Sequence, residues 1–171
     1  MPDEREKRGP RQLLAAILFQ FAILLILIAG AARPLMIGQP VLLRVIPVDP
    51  RDVFRGEYVT LRYLGIHDRP VPTGTASASV GGEAVYVPLT PDPDGKHWTP
   101  GAPVWERPKI GRFLRGTRQT SGQVHYGIES YYLQSGTGRT YEEALRDRRL
   151  SAEIGLTSDG QGIVKRLVIN P

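Results

Sequence analysis

The residues able to do chemistry are few and scattered. His67, His97 and His125 have no metal-like spacing, and two of them lie in loop-like text. Histidines so placed default to surface or packing roles. There is no cysteine, which excludes both a disulfide framework and a thiolate metal site. Asp49, Asp52, Glu57 and Glu129 are the acids that could converge on an acid pair. Nearby arginines make ion pairing their expected use. A nucleophilic serine needs a base beside it, yet no serine occurs before Ser77, and Lys96, Lys109 and Lys165 lack an evident serine partner. The chain therefore leans away from an enzyme, and no catalytic residue, cofactor or metal is assigned.

Whatever these groups do, the first element that positions them is an anchor. Leu13 to Ala32 carries no charge, and Gln20 is its one polar side chain. As a helix it reaches about 30 Å, the thickness of bilayer hydrocarbon, with its backbone hydrogen bonds made internally. Arg5, Lys7, Arg8 and Arg11 precede it; Arg33 follows, then nothing basic until Arg44. The positive-inside rule keeps the N-terminus in the cytoplasm and exports the rest. Ala29-Gly30-Ala31 would suit a cleaved leader, but the apolar run exceeds the roughly 7 to 15 residues of a leader core. The expectation is a single-pass inner-membrane protein: tail 1–12, anchor 13–32, connector 33–40 and a periplasmic domain 41–171. Ala15, Ala22 and Ala29 form one stripe where a partner helix could pack, with Gln20 nearly opposite.

The exported part reads as short strands punctuated by Gly and Pro. Arg33-Pro34 is expected to stop the helix. Val41–Val48, Tyr58–Tyr63, Ala84–Thr90, Lys96–Trp98, Ile110–Arg118, Gln123–Leu133, Ser151–Thr157 and Gly162–Ile169 are the strand candidates. Ser158-Asp159-Gly160 marks a hairpin, and residues 67–82 a surface loop. Thr140-Tyr141-Glu142-Glu143 reads as a capping box opening one short helix, with acids in its first turn and arginines in its last. The fold class is mainly β: a small antiparallel barrel or sandwich with one short helix after the anchor.

Net charge is +5, and Arg107, Lys109, Arg112, Arg115 and Arg118 fall in a stretch free of acids between Glu106 and Glu129. Outside a membrane, nucleic acid is not an available partner. Anionic headgroups or an acidic partner face suit Arg112 and Arg115 better, and a solvated strand face is the plainer use. Trp98, Trp105, Tyr86, Tyr131 and Tyr132 offer an aromatic contact face, or simply core.

The densest text is Val48 to Tyr63, VDPRDVFRGEYVTLRY. Physically it is a turn feeding an amphipathic strand, with Val59, Leu61 and Tyr63 on one face. Gly56, Glu57, Tyr58, Leu61 and Tyr63 make this segment resemble the motif of the GDYXXLXY family, with Glu57 in place of Asp. A second match is Gly127, Ile128, Glu129, Tyr131, then Gly136, Gly138 and Glu142, with Ser135 where an acid is expected. The resemblance implies a membrane-anchored bacterial domain of uncharacterised function, often encoded near polytopic membrane proteins. The function expected is a binding or assembly module, an accessory partner of such a protein or of an envelope complex. A signal-peptidase-like hydrolase is the alternative, since such enzymes also place a β domain after an anchor. It is disfavoured because their serine lies between anchor and first motif strand.

Overall fold

An apolar helix, α1 (Arg8–Ile37), opens the chain and holds one stretch long and apolar enough to cross a membrane, Arg11–Arg33. None of that stretch is covered by the rest of the protein. The computed structural model describes residues 8–47, 58–70, 82–134 and 136–171. Arg5 and Lys7 of the tail, the lead-in through Gly56 and Glu57, Ser77 and Ser135 lie outside the described residues. The helix does not stop at Arg33-Pro34 as expected. A proline lacks its own N–H and so removes one bond of the ladder, and the helix continues another turn to Ile37.

Three antiparallel sheets follow and wrap into a half-barrel. The first runs in the order β10 (Gly162–Ile169), β9 (Leu150–Leu156), β1 (Gln39–Ile46), β3 (Arg62–Tyr63). The second pairs β2 (Tyr58–Thr60) with β8 (Ser130–Tyr132). The third runs β5 (Trp98–Pro100), β4 (Ala84–Pro91), β6 (Arg112–Arg118), β7 (Val124–His125). β1 alternates as its sequence demands: Val41, Leu43 and Val45 point into the core. β9 is buried along both faces, being central in its sheet and in contact with the short helix α2 (Gly138–Arg146). Leu150, Ile154, Leu61, Ile128 and Leu114 are fully enclosed, each contributing roughly 1.5–3 kcal/mol of burial.

Four expectations need correction. Tyr58–Tyr63 is not one strand. β2 pairs with β8, the chain steps across at Leu61, and β3 pairs with β1. The face assignment survives the step: Val59, Leu61 and Tyr63 are all at or below 1% exposure. Gln123–Leu133 also splits in two. Gly127 at φ 78° turns the chain, and the Tyr126 N–H bonds the Glu129 carboxylate instead of a neighbouring strand. The strand expected at Lys96–Trp98 begins at Trp98, because Asp94 Oδ1 accepts from the N–H groups of Lys96 and His97 and holds them in a turn. The capping box is absent. α2 starts upstream at Gly138, with Thr137 at the cap position and its hydroxyl donating to Gln134 O at 2.7 Å. Thr140 thus lies inside the helix, and its first turn holds no acid. Glu143 instead forms an ion pair with Arg139 across one turn at 3.9 Å.

Candidate functional site

The two family-like motifs meet. Tyr58 pairs with Tyr132, Val59 with Tyr131 and Thr60 with Ser130. Beyond the paired strands the backbone contact continues, since the Leu61 N–H donates to Glu129 O at 2.7 Å. The Tyr63 hydroxyl, fully buried, donates to Ile128 O at 2.7 Å. Gly127 makes this docking possible. Its positive φ turns the Ile128 and Glu129 carbonyls onto the first motif, a conformation that a side chain would strain. Gly116, on β6, leaves room for the neighbouring ring: a Cβ there would lie 2.6 Å from Tyr126 Cδ1.

Beside this junction is a cleft of about 500 Å³ whose wall includes Arg62, His67, Arg69, His125, Tyr126 and Glu129. Glu129 is its chemical centre. His67 Nε2 stands 3.8 Å from Oε1, and His125 Nε2 stands 3.3 Å from Oε2. The first distance is that of charges rather than of a hydrogen bond. The Tyr63 N–H donates to His67 Nδ1 at 3.2 Å, which places the ring proton on Nε2, facing the carboxylate. His67 stacks on Tyr63 and meets Tyr126 edge-on, so its orientation is fixed by packing. Even so, His67 Nε2 and Glu129 Oε2 are buried without a hydrogen-bond partner, an arrangement that proteins rarely leave without reason.

The electrostatics follow from this geometry. Burial opposes ionisation of Glu129. His67, the backbone N–H groups of Tyr126 and Glu129, and His125 outweigh it and hold the carboxyl below its usual value. Burial, then the Glu129 charge, pushes the Tyr126 phenol up to about 12 and the Tyr63 phenol well above its ordinary value. The site thus presents a carboxylate flanked by two imidazoles and the neutral Tyr126 phenol, with Arg62 and Arg69 exposed at its rim. It can hold a polar group by charge and hydrogen bonding. Among the described residues no cluster of His, Cys, Asp and Glu has metal-holding geometry.

A second histidine cluster has the form of a catalytic triad. The Asp94 carboxylate accepts from His97 Nδ1, and His97 Nε2 is 3.0 Å from Ser151 Oγ. Asn170 Nδ2 donates to the same Oγ at 2.9 Å. With the proton on Nδ1, the Ser151 hydroxyl donates to Nε2, and each atom of the chain has a partner. Ser151, however, is 0% exposed, at the start of β9. No substrate carbonyl reaches it, so the geometry of attack is absent. The cluster instead pins the β4–β5 turn to the first sheet, where His97 bridges Leu42. Arg44 clasps the same turn through Asp92 at 2.7 Å and Asp94 at 2.8 Å.

Of the predicted site residues, Tyr58, Leu61, Tyr63, Gly127, Ile128, Glu129 and Tyr131 come together at the motif junction. Gly136 lies in the turn after β8 with φ 87°, Gly138 begins α2, and Glu142 is half-buried on α2 away from the cleft lining. Ala15, Gln20, Ala22 and Ala29 are exposed on α1. Arg112 stacks on Trp98 at 4.5 Å and donates to Pro40 O at 3.1 Å, while Arg115 is exposed. Lys165 donates to Gly38 O rather than to a serine. His67 and His125 were missed as site residues. Their spacing carries no signal, because their shared partner, Glu129, lies in the bend before β8, far along the chain from His67 after β3. Glu129 pairs with histidines, not with the arginines its sequence surroundings suggest. Residues 20–167 match the family model described as GDYXXLXY protein. No curated protein and no solved structure matches the chain.

Proposed function

As the chain belongs to the GDYXXLXY family over nearly its whole length, we propose that it is a membrane-anchored, extracytoplasmic recognition module whose contact site is the Glu129 cleft. Its partner is a polytopic membrane protein or envelope complex in the same inner membrane. One observation carries the reading: the two family motifs converge on a cleft wall whose carboxylate and imidazole are buried and only partly satisfied. A fold needing these residues for packing alone would satisfy them. Glu129 Oε2 and His67 Nε2, ion-paired but without hydrogen bonds, are groups a ligand would complete. The four basic residues before Leu13 support export of the domain.

The test is a photo-crosslinking side chain placed at His125, 61% exposed at the cleft mouth, in the full chain in native membranes, with Lys96 as a distant exposed control. A discrete adduct at position 125 that disappears with Glu129→Gln is expected. Equal adducts at both positions, or one indifferent to Glu129, would sink the cleft as the contact site. A reporter fused after Pro171 should be active only in its periplasmic form; cytoplasmic activity would reverse the topology.

A further inference from the structure

The root of the β domain, where it leaves the anchor, carries a second site. The apolar stretch ends at Arg33 and α1 continues to Ile37, about 6 Å further along the axis. With the helix in a bilayer, Gly38–Pro40 stand in the headgroup layer. A cavity of about 290 Å³ lies at that level, its lining including Ile37, Gln39, Arg112, Phe113, Thr157 and Ser158.

Arg112 lines this cavity, and further cations stand beside it on groups that line or adjoin it. Arg112 Nη1 donates to Pro40 O at 3.1 Å. Lys165 Nζ donates to Gly38 O at 3.1 Å. Arg107 Nη2 donates to Ser158 O at 3.2 Å and its guanidinium lies 5.3 Å over the Phe113 ring. Asp159 is the acid beside them; its carboxyl is held below the ordinary value first by Thr157 and then also by the charges of Arg33 and Arg115. Among the described residues, none of these five cations forms an ion pair. A guanidinium has five N–H donors, and the backbone carbonyls use only part of that capacity. Next to them Ile110 is 92% exposed, with Lys109 and then Arg112 on either side of it. An exposed aliphatic side chain flanked in the chain by cations, two residues from the cavity's Arg112, suits the two layers of an interface, acyl chains below and phosphates above.

We propose that this root binds the phosphate of an anionic phospholipid headgroup. Arg112 supplies the charge in the wall, with Arg107, Arg115 and Lys165 beside it; Gln39 and Ser158 add neutral hydrogen-bonding groups, and Ile110 enters the acyl boundary. The anchor selects the lipid over a free anion, because it holds the cavity permanently against headgroups.

The test uses the full chain in a neutral detergent, equilibrated with equal amounts of phosphatidylglycerol and phosphatidylcholine of matched acyl chains, with retained lipid counted by native mass spectrometry. Preferential retention of phosphatidylglycerol is expected. Arg107→Gln and Arg115→Gln, both exposed side chains, should each weaken it about fivefold, and Arg115→Lys should restore most of the loss. Unchanged melting temperature of these variants separates lost binding from lost fold. Equal retention of the two lipids, indifference to both charge removals, or displacement of the lipid by equimolar inorganic phosphate would each overturn the proposal.

Discussion

His97 and His67 each face a carboxylate, and the two neighbourhoods part company from there. Around His97 every donor has an acceptor: Asp94 holds Nδ1, Ser151 holds Nε2 and Asn170 completes Ser151. The serine end of the cluster is shut, with Ser151 at 0% exposure and His97 at 8%, while Asp94 reaches the surface. Around His67 the chain of bonds stops short. Nε2 has no hydrogen-bond partner, nor has Glu129 Oε2, and the cleft opens beside them. Residue identity does not separate the two, since the closed cluster has the more enzyme-like set of residues. Satisfaction and access separate them. A saturated network inside a core specifies structure, while an unsaturated one at a cleft is left for something else to complete.

The largest effect that can break this contrast lies beneath the open cluster. Leu61, 1% exposed where the chain steps between sheets, should lose roughly 2–5 kcal/mol on Leu61→Ala. The melting temperature of the detergent-solubilised chain reads this loss. A near-neutral result would mean that the motif junction is not a core element. His97→Ala comes next, at about 2–3 kcal/mol, because it leaves the buried Ser151 hydroxyl without an acceptor and takes one bond from the Asp94 carboxylate. His125→Ala, on an exposed side chain, should stay within about 0.5 kcal/mol. Reversal of that order would mean the structural and recognition roles are assigned the wrong way round.

Acid sharpens the same comparison. Both carboxyls are held below their ordinary values, Asp94 first by the His97 and Lys96 backbone N–H groups and far lower, Glu129 less so and against its burial. A lowered folded pKa adds stability that is complete above the ordinary value, 4.5 for Glu129, and is withdrawn as pH falls through the folded value. Melts taken downward from about pH 6 should therefore lose the Glu129 share before the Asp94 share. Glu129→Gln should flatten the first part of that fall; an unchanged profile would remove Glu129 from the linkage. The smallest expected effect is none at all. A fluorophosphonate probe should leave Ser151 unlabelled in the folded chain, and labelling would show that the closed cluster opens to substrates.

The strand text was legible wherever both faces of a strand met ordinary surroundings. Ala84–Thr90 and Gly162–Ile169 were read to within a residue of β4 and β10, because alternation and flanking turn residues suffice there. Reading failed where a side chain or a distant strand sets the boundary. Asp94 delays β5 by bonding two backbone N–H groups, and Thr137 turns to Gln134 O rather than capping a helix from Thr140. Tyr58–Tyr63 kept its buried face across the break because side chains alternate whichever strand is opposite. Which strand is opposite is a long-range matter, and that divided it between β8 and β1.

Sequence by itself determined the apolar helix, the mainly β character, the buried face of the first motif and the family, since composition, periodicity and local motifs are properties of neighbouring residues. Only the tertiary structure decided that the two motifs meet, that Glu129 belongs to His67 and His125, and that Asp94, His97 and the buried Ser151 form one network. Those relations join groups far apart along the chain, and their meaning depends on exposure and unfilled hydrogen bonds, which exist only once the sheets have closed around them.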